Sequence, residues 1–374
     1  MSRKKLKVGI IAAEHSGDRL GANLITSMKD LYEVELFGLG GPEVAKLGIS
    51  SPHNLNYQDL QVMGLIDPLL NLRKLLIIRK KLFKLFLQKE IDIFIGVDSP
   101  DFNMFFHKKL KKIQVKTIQV VSPSVWGWRE NRIHAIGSHI DLTMCLFRFE
   151  HEYYLEKNIN SFFLGHPFSS LQPSSLAHVL DQYNLDSSKN FISMMPGSRK
   201  SEILQMMPTF ADAAQKIHDA NPNTFFLIPA ANDELAALIQ PMLDVSGLDY
   251  KLASSSAARD FLSISKVSIV TSGTASLEAA ALGSLPIICY KTTVLNYAIL
   301  SRMIKTPFIG LPNLLLQKHL FPELVQHELT ADAIYAHYHQ LSSDSLEYQP
   351  HLESMKRGME GEGFSEAARL LGSL

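Results

Sequence analysis

Acidic residues follow several short apolar runs, at places where a carboxylate could act as an acid or a base. Asp98 and Asp101, in GVDSPDFN, come directly after the apolar run IDIFIGV. A carboxylate half buried at the end of a strand can take a proton from a substrate hydroxyl away from bulk water. Asp101 is instead expected to cap the helix that follows it. The sequence therefore predicts Asp98 as the general base.

A second acidic motif, AAEHSGD, follows the first apolar run of the chain. Glu14 and His15 are alternative candidates for acid or base chemistry. Ser16 and Asp18 are expected to shape the turn and to cap the helix after it.

The stretch MMPGSRKSEI has the residues of a phosphate-binding turn. Pro196 and Gly197 break an apolar run, and Ser198 and Arg199 precede an amphipathic segment. A turn that opens onto a helix offers free backbone N–H groups, and an arginine adds a fork suited to phosphate oxygens. An ordinary Pro-Gly turn with a solvated arginine is an equally good interpretation of this stretch alone.

The stretch VTSGTASLEAAALG joins a turn of small residues to an alanine-rich helix that ends at Gly283. Gly273 and Thr274 would let a ligand approach the start of this helix, where the macrodipole favours a diphosphate. Glu278 lies four residues after Thr274 on the same helix face and could accept hydrogen bonds from ribose hydroxyls. In the alternative, Glu278 points to solvent from a buried helix start, which its alanine neighbours make less favourable. Together the two stretches predict a nucleotide diphosphate site.

Other chemistries lack their sequence patterns. The stretch GLGGPEVAKLG only imitates GxGxxG, and no GxxxxGK[ST] occurs in the sequence. The 14 histidines form no HExxH or similar cluster, so we expect no catalytic metal and no cofactor. Lysine plus arginine equals aspartate plus glutamate at 37 each, which argues against a nucleic-acid partner. Cys145 and Cys289 stand alone in apolar runs and are interpreted as core residues of a reducing compartment.

Residues 64–89, GLIDPLLNLRKLLIIRKKLFKLFLQK, combine leucines with many cations and only one acid, Asp67. This composition is typical of a helix that lies on an anionic membrane. A domain helix with one apolar face in the core is the alternative, but the apolar arc is wider than one core face requires. We expect residues 77–87 to be partly core and residues 65–76 to face lipid. The predicted contacts with the inner-membrane surface are Leu65, Leu69, Leu72 and Leu76, with Arg73, Lys74, Arg79 and Lys80.

Both tryptophans of the chain, Trp126 and Trp128, stand in one turn, VSPSVWGWRENRI, after an apolar run. Tryptophan prefers a boundary between apolar and wet surroundings, so the pair could line a site for a sugar or a lipid. Core packing is the alternative for either residue singly. We expect the pair to form part of the floor of a cleft in the first domain.

These motifs follow short apolar runs that alternate with amphipathic segments. This alternation predicts parallel α/β sheets. The runs are KVGIIAA, VELFGL, IDIFIGV, KTIQVVS and IDLTMCLF, then FISMMPGS, TFFLIPA, VSIVTSG and LPIICYK. A length of 374 residues favours two domains. We expect them at 1–167 and 168–345, followed by a helical segment, 346–374, that could pack back on the first domain.

Ligands of open α/β sheets bind outside the carboxyl ends of the strands, where each motif above is expected. Two such sheets facing one another across a cleft would bring the two sets of motifs together. The first apolar run is too short for a signal peptide. No stretch of the sequence reaches the roughly 18 to 20 apolar residues of a spanning helix. We therefore expect a cytoplasmic protein, or one on a membrane surface.

The order and spacing of the motifs resemble lipid-A-disaccharide synthases, glycosyltransferases of bacterial outer-membrane biosynthesis. The resemblance covers essentially the whole chain and rests on AAEHSGD, QVMG, GVDSPDFN, VSPSVWGWRENRI, LGHP, MPGSRKSEI, SGTASLEAA and KTPFIGLPNLL. It implies a GT-B fold of two Rossmann-like domains. It also implies an inverting enzyme that condenses UDP-2,3-diacylglucosamine with 2,3-diacylglucosamine 1-phosphate. UDP and a β(1→6) tetraacyl disaccharide phosphate would form at the cytoplasmic face of the inner membrane, and a homodimer is left open.

The resemblance assigns residue roles by matching motif. Asp98 would be the base that activates the acceptor's 6-hydroxyl, and Glu14 and Ser16 would border the acceptor side. The chain departs from the family's commoner AGE, LPGSR and WAW only by exchanges of small or apolar residues.

On the donor side, Arg199 would meet the UDP diphosphate, Glu278 the ribose, and Asn313 in LPNLL would line the site. UDP is a good leaving group once a helix N-terminus and an arginine meet its charge, so no metal is required.

Two rival functions share part of this pattern. A UDP-GlcNAc 2-epimerase on the same scaffold would share the UDP half but has no use for a lipid-binding helix. A non-catalytic peripheral membrane adaptor would keep its function without Asp98.

Overall fold

The structure is a computed structural model that describes residues 3–12, 14–53, 55–60, 72–123, 132–245, 247–293, 297 and 306–374. The chain divides into two compact units, the first formed by Met1–His166 with Glu360–Leu374 and the second by Pro167–Met359. Each unit has its own parallel sheet. The α/β class predicted from the alternating apolar runs is confirmed.

In the described part of the chain, the first unit contains a six-stranded sheet with the order β2-β1-β3-β4-β5-β6. Its strands are β1 (Lys5–Ala12), β2 (Glu33–Leu39), β3 (Ile93–Val97), β4 (Lys116–Val120), β5 (Leu142–Cys145) and β6 (Ser161–Phe163). All five residues of β3 are buried, as expected for a parallel strand covered on both faces. Val97 is in register with Ala12 of β1 and with Val120 of β4. The carboxyl ends of these three strands therefore lie side by side.

The helices of the first unit that precede the second unit are α1 (His15–Leu31), α2 (Pro42–Ala45), α3 (Leu72–Lys89), α4 (Pro100–Lys111), α5 (Ile133–His139) and α6 (Arg148–Glu156). Helices α3 and α4 meet the sheet through Phe86, Phe94, Phe102 and Phe106, all nearly or fully buried. Neighbouring rings of this group have centroids 5.5 to 5.7 Å apart. These edge and tilted contacts fix α4, which begins two residues after Asp98, against β3.

Helix α3 buries one face in this core. Ile78, Leu82 and Phe86 are at most 2% exposed, and Leu75 is 7% exposed. The burial of Leu75 corrects the expectation that residues 65–76 face away from the core, because Leu75 is one turn before Ile78 on the same helix face.

The opposite face of α3 exposes apolar side chains. Leu76 is 52% and Ile77 is 50% exposed. Leu65 and Leu69 lie outside the described residues, as does the side chain of Leu72. Of the four leucines predicted to contact lipid, Leu76 is therefore the one whose side chain the structure describes.

The second unit contains, within its described residues, a six-stranded parallel sheet with the order β12-β11-β10-β7-β8-β9. Its strands are β7 (Asn190–Met195), β8 (Thr224–Ala230), β9 (Tyr250–Ser254), β10 (Val267–Thr271), β11 (Leu285–Tyr290) and β12 (Glu323–Val325). Its helices are α7 (Leu176–Tyr183), α8 (Lys200–Ala220), α9 (Asp233–Asp244), α10 (Ala258–Ile264), α11 (Thr274–Ala281), α12 (Leu311–Leu316), α13 (Ala331–Ser343) and α14 (Ser345–Gly358). Met195 of β7 is in register with Val270 of β10, so the turns after these two strands are neighbours.

The last helix, α15 (Gly363–Ser373), returns to the first unit and packs against α1. Ala367, Ala368 and Leu371 are its buried residues. None of the described helices is both long enough and apolar enough to cross a membrane. Cys145 and Cys289 are buried free thiols, which confirms that they are core residues.

In both sheets the order of strands reverses once. The reversal lies between β1 and β3 in the first unit and between β7 and β10 in the second. Ligands of open α/β sheets bind at such switch points, outside the carboxyl ends of the strands.

Candidate active site

Asp98 follows β3 in a backbone conformation that side chains rarely adopt. Its φ is 53° and that of Ser99 is 41°, so two consecutive residues are in the left-handed region. The Asp98 amide donates to the carbonyl of Val120 at 2.9 Å, and one carboxylate oxygen accepts the amide of Ser99 at 2.8 Å. Burial raises the pKa of the Asp98 carboxyl, and the hydrogen bond from Ser99 opposes this. A carboxylate with a raised pKa is a better proton acceptor for a substrate hydroxyl.

The AAEHSGD turn lies next to Asp98. Helix α1 begins at His15, with Glu14 as its N-cap. A Cβ added to Gly17 would lie 3.4 Å from the Cβ of Asp98, so the first turn of α1 packs against the Asp98 turn. Glu14 is partly buried and Ser16 is exposed. The structure thus brings the three predicted residues of the first unit to one switch point.

Asp18 does not cap α1, as the sequence suggested, but a different helix. Its fully buried carboxylate accepts the amides of Glu43 at 2.8 Å and Val44 at 3.1 Å, at the start of α2. A Cβ on Gly41 would come within 2.6 Å of this carboxylate. Gly41 of GLGGPEVAKLG therefore allows the approach of an acidic side chain of the protein itself, in place of the pyrophosphate of a GxGxxG turn.

Asp101 does not cap α4, because Ser99 holds the N-cap position. The Asp101 carboxylate instead forms an ion pair with Arg132. Its carbonyl accepts Nη2 of Arg79 at 2.9 Å, and the Arg79 guanidinium lies 5.0 Å from the ring centroid of Phe102. Arg79, which the sequence assigned to the membrane-facing surface, is thus half-buried against α4.

The turn that contains both tryptophans, residues 124–131, lies outside the described residues. Its base is held by buried side chains of α6. The Ser122 hydroxyl donates to Glu150 at 3.1 Å, and the Tyr154 hydroxyl donates to the carbonyl of Pro123 at 3.2 Å. These contacts could not be predicted from the sequence, because Glu150 and Tyr154 stand within an ordinary helical pattern.

In the second unit, the amides of Ser198 and Arg199 are not free. Both donate to Oε2 of Glu202, at 2.9 and 3.2 Å. The first turn of α8 therefore satisfies these amides with its own carboxylate, and the expectation of free N–H groups in this turn is wrong. Nη1 of Arg199 also contacts Glu202 at 3.0 Å, but its side chain is 64% exposed and accessible to a ligand. Tyr290 is the last residue of β11. Burial and the charge of Glu202 raise the pKa of its hydroxyl, and Thr292 and Arg199 oppose this.

Helix α11 begins with backbone amides that have no partner among the described residues. Gly273, the N-cap, has a φ of 149°, and no described residue accepts a hydrogen bond from the amide of Thr274 or Ala275. The Ser276 hydroxyl bonds back to the carbonyl of Gly273 at 2.8 Å and leaves these amides open. Together with the helix dipole, such amides give this helix start the means to bind an anion.

Glu278 is one turn further along α11 and is paired with Arg259. Nε of Arg259 lies 2.7 Å from Oε1 of Glu278, and the two side chains are 37% and 18% exposed. The expectation that Glu278 points freely to a ligand omitted this cation, because Arg259 is on α10 and distant in sequence. The pair orients the carboxylate and leaves part of it accessible.

Asn313 is fully buried, and its side chain is saturated by the protein. Its amide nitrogen donates to the carbonyl of Phe321 and to Glu323, both at 2.8 Å. Its oxygen accepts the amides of Leu320 and Phe321, at 3.1 and 2.9 Å. Glu323 also accepts the amide of Gly310 at 3.0 Å, so Asn313 and Glu323 hold the start of α12 in place. A role of Asn313 in lining the donor site stays a prediction.

The described residues include no group of three or more His, Cys, Asp or Glu side chains that could hold a metal ion. Within each unit, the predicted residues meet at the switch point. Asp98, Glu14 and Ser16 do so in the first unit, and the turns after β7 and β10 do so in the second.

A family model described as lipid-A-disaccharide synthetase matches residues 8–368 of the chain. The chain is 38% identical over 340 residues to lipid-A-disaccharide synthase 2 of Legionella pneumophila (strain Paris), covering 89% of this chain and 87% of the relative. It is 35% identical over 380 residues to the lipid-A-disaccharide synthase of Alcanivorax borkumensis, covering 97% of both chains.

Solved structures with little sequence identity share the fold. The UDP-GlcNAc 2-epimerase of Neisseria meningitidis, solved with UDP-GlcNAc, aligns with a TM-score of 0.57 at 13% identity, covering 99% of this chain and 98% of that one. MurG of Acinetobacter baumannii aligns with a TM-score of 0.60 at 10% identity, covering 99% of this chain and 100% of that one. At this identity the likeness establishes a GT-B type of fold and does not favour an epimerase. The family model and the relatives decide the assignment, and the chain belongs to the lipid-A-disaccharide synthases, glycosyltransferases of lipid A biosynthesis.

Proposed function

We propose that the protein transfers the diacylglucosamine of UDP-2,3-diacylglucosamine to the 6-hydroxyl of 2,3-diacylglucosamine 1-phosphate. The hydroxyl oxygen forms a bond to the anomeric carbon, the bond from that carbon to UDP breaks, and UDP leaves with the electron pair. Asp98 takes the hydroxyl proton, and the anomeric configuration inverts. The observation that carries this proposal is Asp98 itself, a carboxyl with a raised pKa at the switch point of the first unit.

The donor diphosphate is proposed to bind at the switch point of the second unit. The open amides at the start of α11 and the exposed guanidinium of Arg199 supply positive charge for the departing UDP. Ser198 contributes less than the sequence suggested, since its amide is bonded to Glu202. Glu278, oriented by Arg259, would accept hydrogen bonds from the ribose hydroxyls.

Helix α3 is proposed to hold the protein at the cytoplasmic surface of the inner membrane, where acylated substrates reside. Its exposed side combines Leu76 and Ile77 with cations and no acidic residue. The exposed cations are Arg73, Lys74, Lys80, Lys81 and Lys84. Cations beside exposed leucine and isoleucine favour an anionic lipid surface. A homodimer stays a prediction, which sedimentation velocity would test.

The test of this function is incubation of the purified protein with both substrates. We expect equimolar UDP and tetraacyl disaccharide phosphate, a requirement for both substrates, and loss of product with Asp98→Asn. An epimerase would convert UDP-GlcNAc without the acylated acceptor, and an adaptor would form no product at all. Either result, obtained with folded protein, would refute the proposal.

A further inference from the structure

The backbone of the Asp98 turn is bound by a buried glutamine. The two hydrogens of Nε2 of Gln119, on β4, face three carbonyl oxygens, those of Asp98 at 3.0 Å, Val120 at 3.0 Å and Val121 at 3.3 Å, so that one hydrogen is shared between two of them. Gln119 is fully buried. One side-chain amide therefore joins the end of β3 to the end of β4, which leads into the tryptophan-containing turn.

The orientation of this amide is fixed by a histidine. Nε2 of His107, on α4, lies 2.9 Å from Oε1 of Gln119. Since the three carbonyls can only accept hydrogen bonds, the NH2 group of Gln119 must face them and its oxygen must face His107. The imidazole therefore carries its hydrogen on Nε2 and donates it.

The surroundings keep this imidazole neutral. His107 is fully buried with the ring of Phe94 5.1 Å away, and burial lowers its pKa to about 4. Gln119 and the carboxylate of Asp141 oppose this lowering, and the charges of His139 and Lys111 add to it. The donor to Gln119 is thus present, without a charge, throughout the neutral pH range.

The backbone that these groups bind is strained. Asp98, Ser99 and Val121 have φ values of 53°, 41° and 69°, and a β-branched residue such as Val121 is especially unfavourable there. Such conformations persist only where surrounding contacts hold them. Nδ2 of Asn103 supplies a second bond to the Asp98 carbonyl, at 2.8 Å. Gly96 makes room for it, because a Cβ there would lie 2.9 Å from the Asn103 side chain.

We propose that Gln119, oriented by His107, is a positioning residue that holds Asp98 in its left-handed conformation and so aims its carboxylate at the acceptor hydroxyl. This rests on the proposed function of Asp98 as the base. Gln119 and His107 touch no reacting atom in this scheme and act through the Asp98 backbone.

The experiment compares variants that differ in the hydrogen bonds of this pair. Gln119→Met keeps the side-chain length and removes the amide. His107→Phe removes the donor to Gln119, whereas His107→Gln can restore it. Thr117→Val is the matched control, because Thr117 is a buried residue on the same strand and face as Gln119. Its hydroxyl bonds to the carbonyl of His139 and to Asp141, away from Asp98.

We expect Gln119→Met and His107→Phe to lower kcat by roughly 10²-fold, the scale of a misplacement of about 1 Å. The KM for the UDP-sugar should not change, and the acid limb of the kcat/KM profile should move to lower pH as the Asp98 carboxyl becomes better hydrated. His107→Gln should recover most of kcat. Thr117→Val should lower Tm without lowering kcat.

A folded Gln119→Met protein with wild-type kcat would overturn the proposal. So would equal losses of kcat in His107→Gln and His107→Phe, or a loss in Thr117→Val as large as theirs. If Gln119→Met does not fold, the comparison of kcat between His107→Phe and His107→Gln tests the proposal.

A wild-type protein that is folded but inactive would instead refute the proposed function. The positioning itself is then decided by 13C NMR titration of the Asp98 carboxyl. A pKa that moves toward the ordinary range in His107→Phe, but not in Thr117→Val, supports the positioning, and an unchanged pKa refutes it.

Discussion

At the scale of single residues, the role proposed for Asp98 as the base conflicts with the stability of the fold. Its carboxyl has a raised pKa because burial disfavours the charged form. A base must nevertheless be ionised when it meets the substrate hydroxyl, so the folded protein holds a charge at a place that disfavours it. The contacts of the surrounding turn offset this cost.

Asp98→Asn should therefore lower kcat by about 10²- to 10⁴-fold, the usual contribution of a general base, and raise Tm at neutral pH. Since the pKa of Asp98 is higher in the folded than in the unfolded state, ionisation destabilises the fold as pH rises through the folded-state value. The Tm difference between variant and wild type should vanish below the ordinary pKa of 3.8, where the wild-type carboxyl is protonated. Calorimetric scans from pH 3 to pH 8 measure this, and a lower Tm for the variant at pH 7 would contradict it.

Arg259 is a second residue whose importance depends on its partner. Arg259→Met should raise the Kd for UDP by about 10- to 100-fold, because loss of a charged hydrogen bond is worth about 1.5–3 kcal/mol and leaves Glu278 unoriented. Isothermal titration of UDP against the full chain tests it. Arg369→Met is the matched control, since Arg369 pairs at the same 2.7 Å with Glu366 in the first unit. Unchanged UDP affinity in Arg259→Met would remove the ribose role of Glu278.

At the scale of elements, α3 has two faces, one packed in the core and one that exposes apolar side chains and is proposed to lie on the membrane. Its buried residues, including Ile78 and Phe86, hold it on the first unit. Its exposed leucine and isoleucine are not members of that core cluster. Burial of such a side chain in lipid is worth about 1.5–3 kcal/mol. The two faces can therefore be changed separately.

Leu76→Ser combined with Ile77→Ser should weaken binding to anionic vesicles by at least about tenfold and leave Tm unchanged, because both residues lie outside the core. Vesicle sedimentation, with and without an anionic phospholipid, measures the binding. Leu155→Ser is the matched control, a leucine with 53% exposure on α6. Ile78→Ser should give the opposite pattern and lower Tm. Full vesicle binding by the double variant would mean that α3 does not face lipid.

At the scale of the whole molecule, the two units are not consecutive in the chain. The chain leaves the first unit after His166 and returns to it at Glu360. The last helix is thus a structural part of the unit that contains Asp98. Buried Leu371 and the close packing of Gly372 against Tyr32, the residue that follows α1, hold it there.

Leu371→Ala should destabilise the first unit by about 2–5 kcal/mol, the usual effect of truncating a buried leucine. Native-state hydrogen exchange should become faster in α1 and stay unchanged in α8, because α15 packs against α1 and both belong to the first unit. Leu374→Ala, at a residue 42% exposed, is the control and should change neither. Faster exchange in α8 alone would show that α15 does not stabilise the first unit.

The sequence by itself determined the sheets and the ends of their strands. Buried parallel strands require near-continuous Val, Ile and Phe, so the nine apolar runs correspond to strands and place Asp98 and the SGTASLE motif correctly. The strands without such a run, β6, β9 and β12, are sheet edges, where fewer side chains need burial. Strand order follows from long-range pairing and cannot be derived from local pattern.

Only the tertiary structure decided which polar groups are already occupied. Glu202 takes the amides beside Arg199, and Arg259 pairs with Glu278 from another helix. Gln119 and His107 hold the Asp98 turn from β4 and α4. The physical reason is that a hydrogen bond depends on a distance of about 3 Å, which the fold sets between residues far apart in sequence. Residue type tells what a side chain can bind, and the fold decides what it does bind.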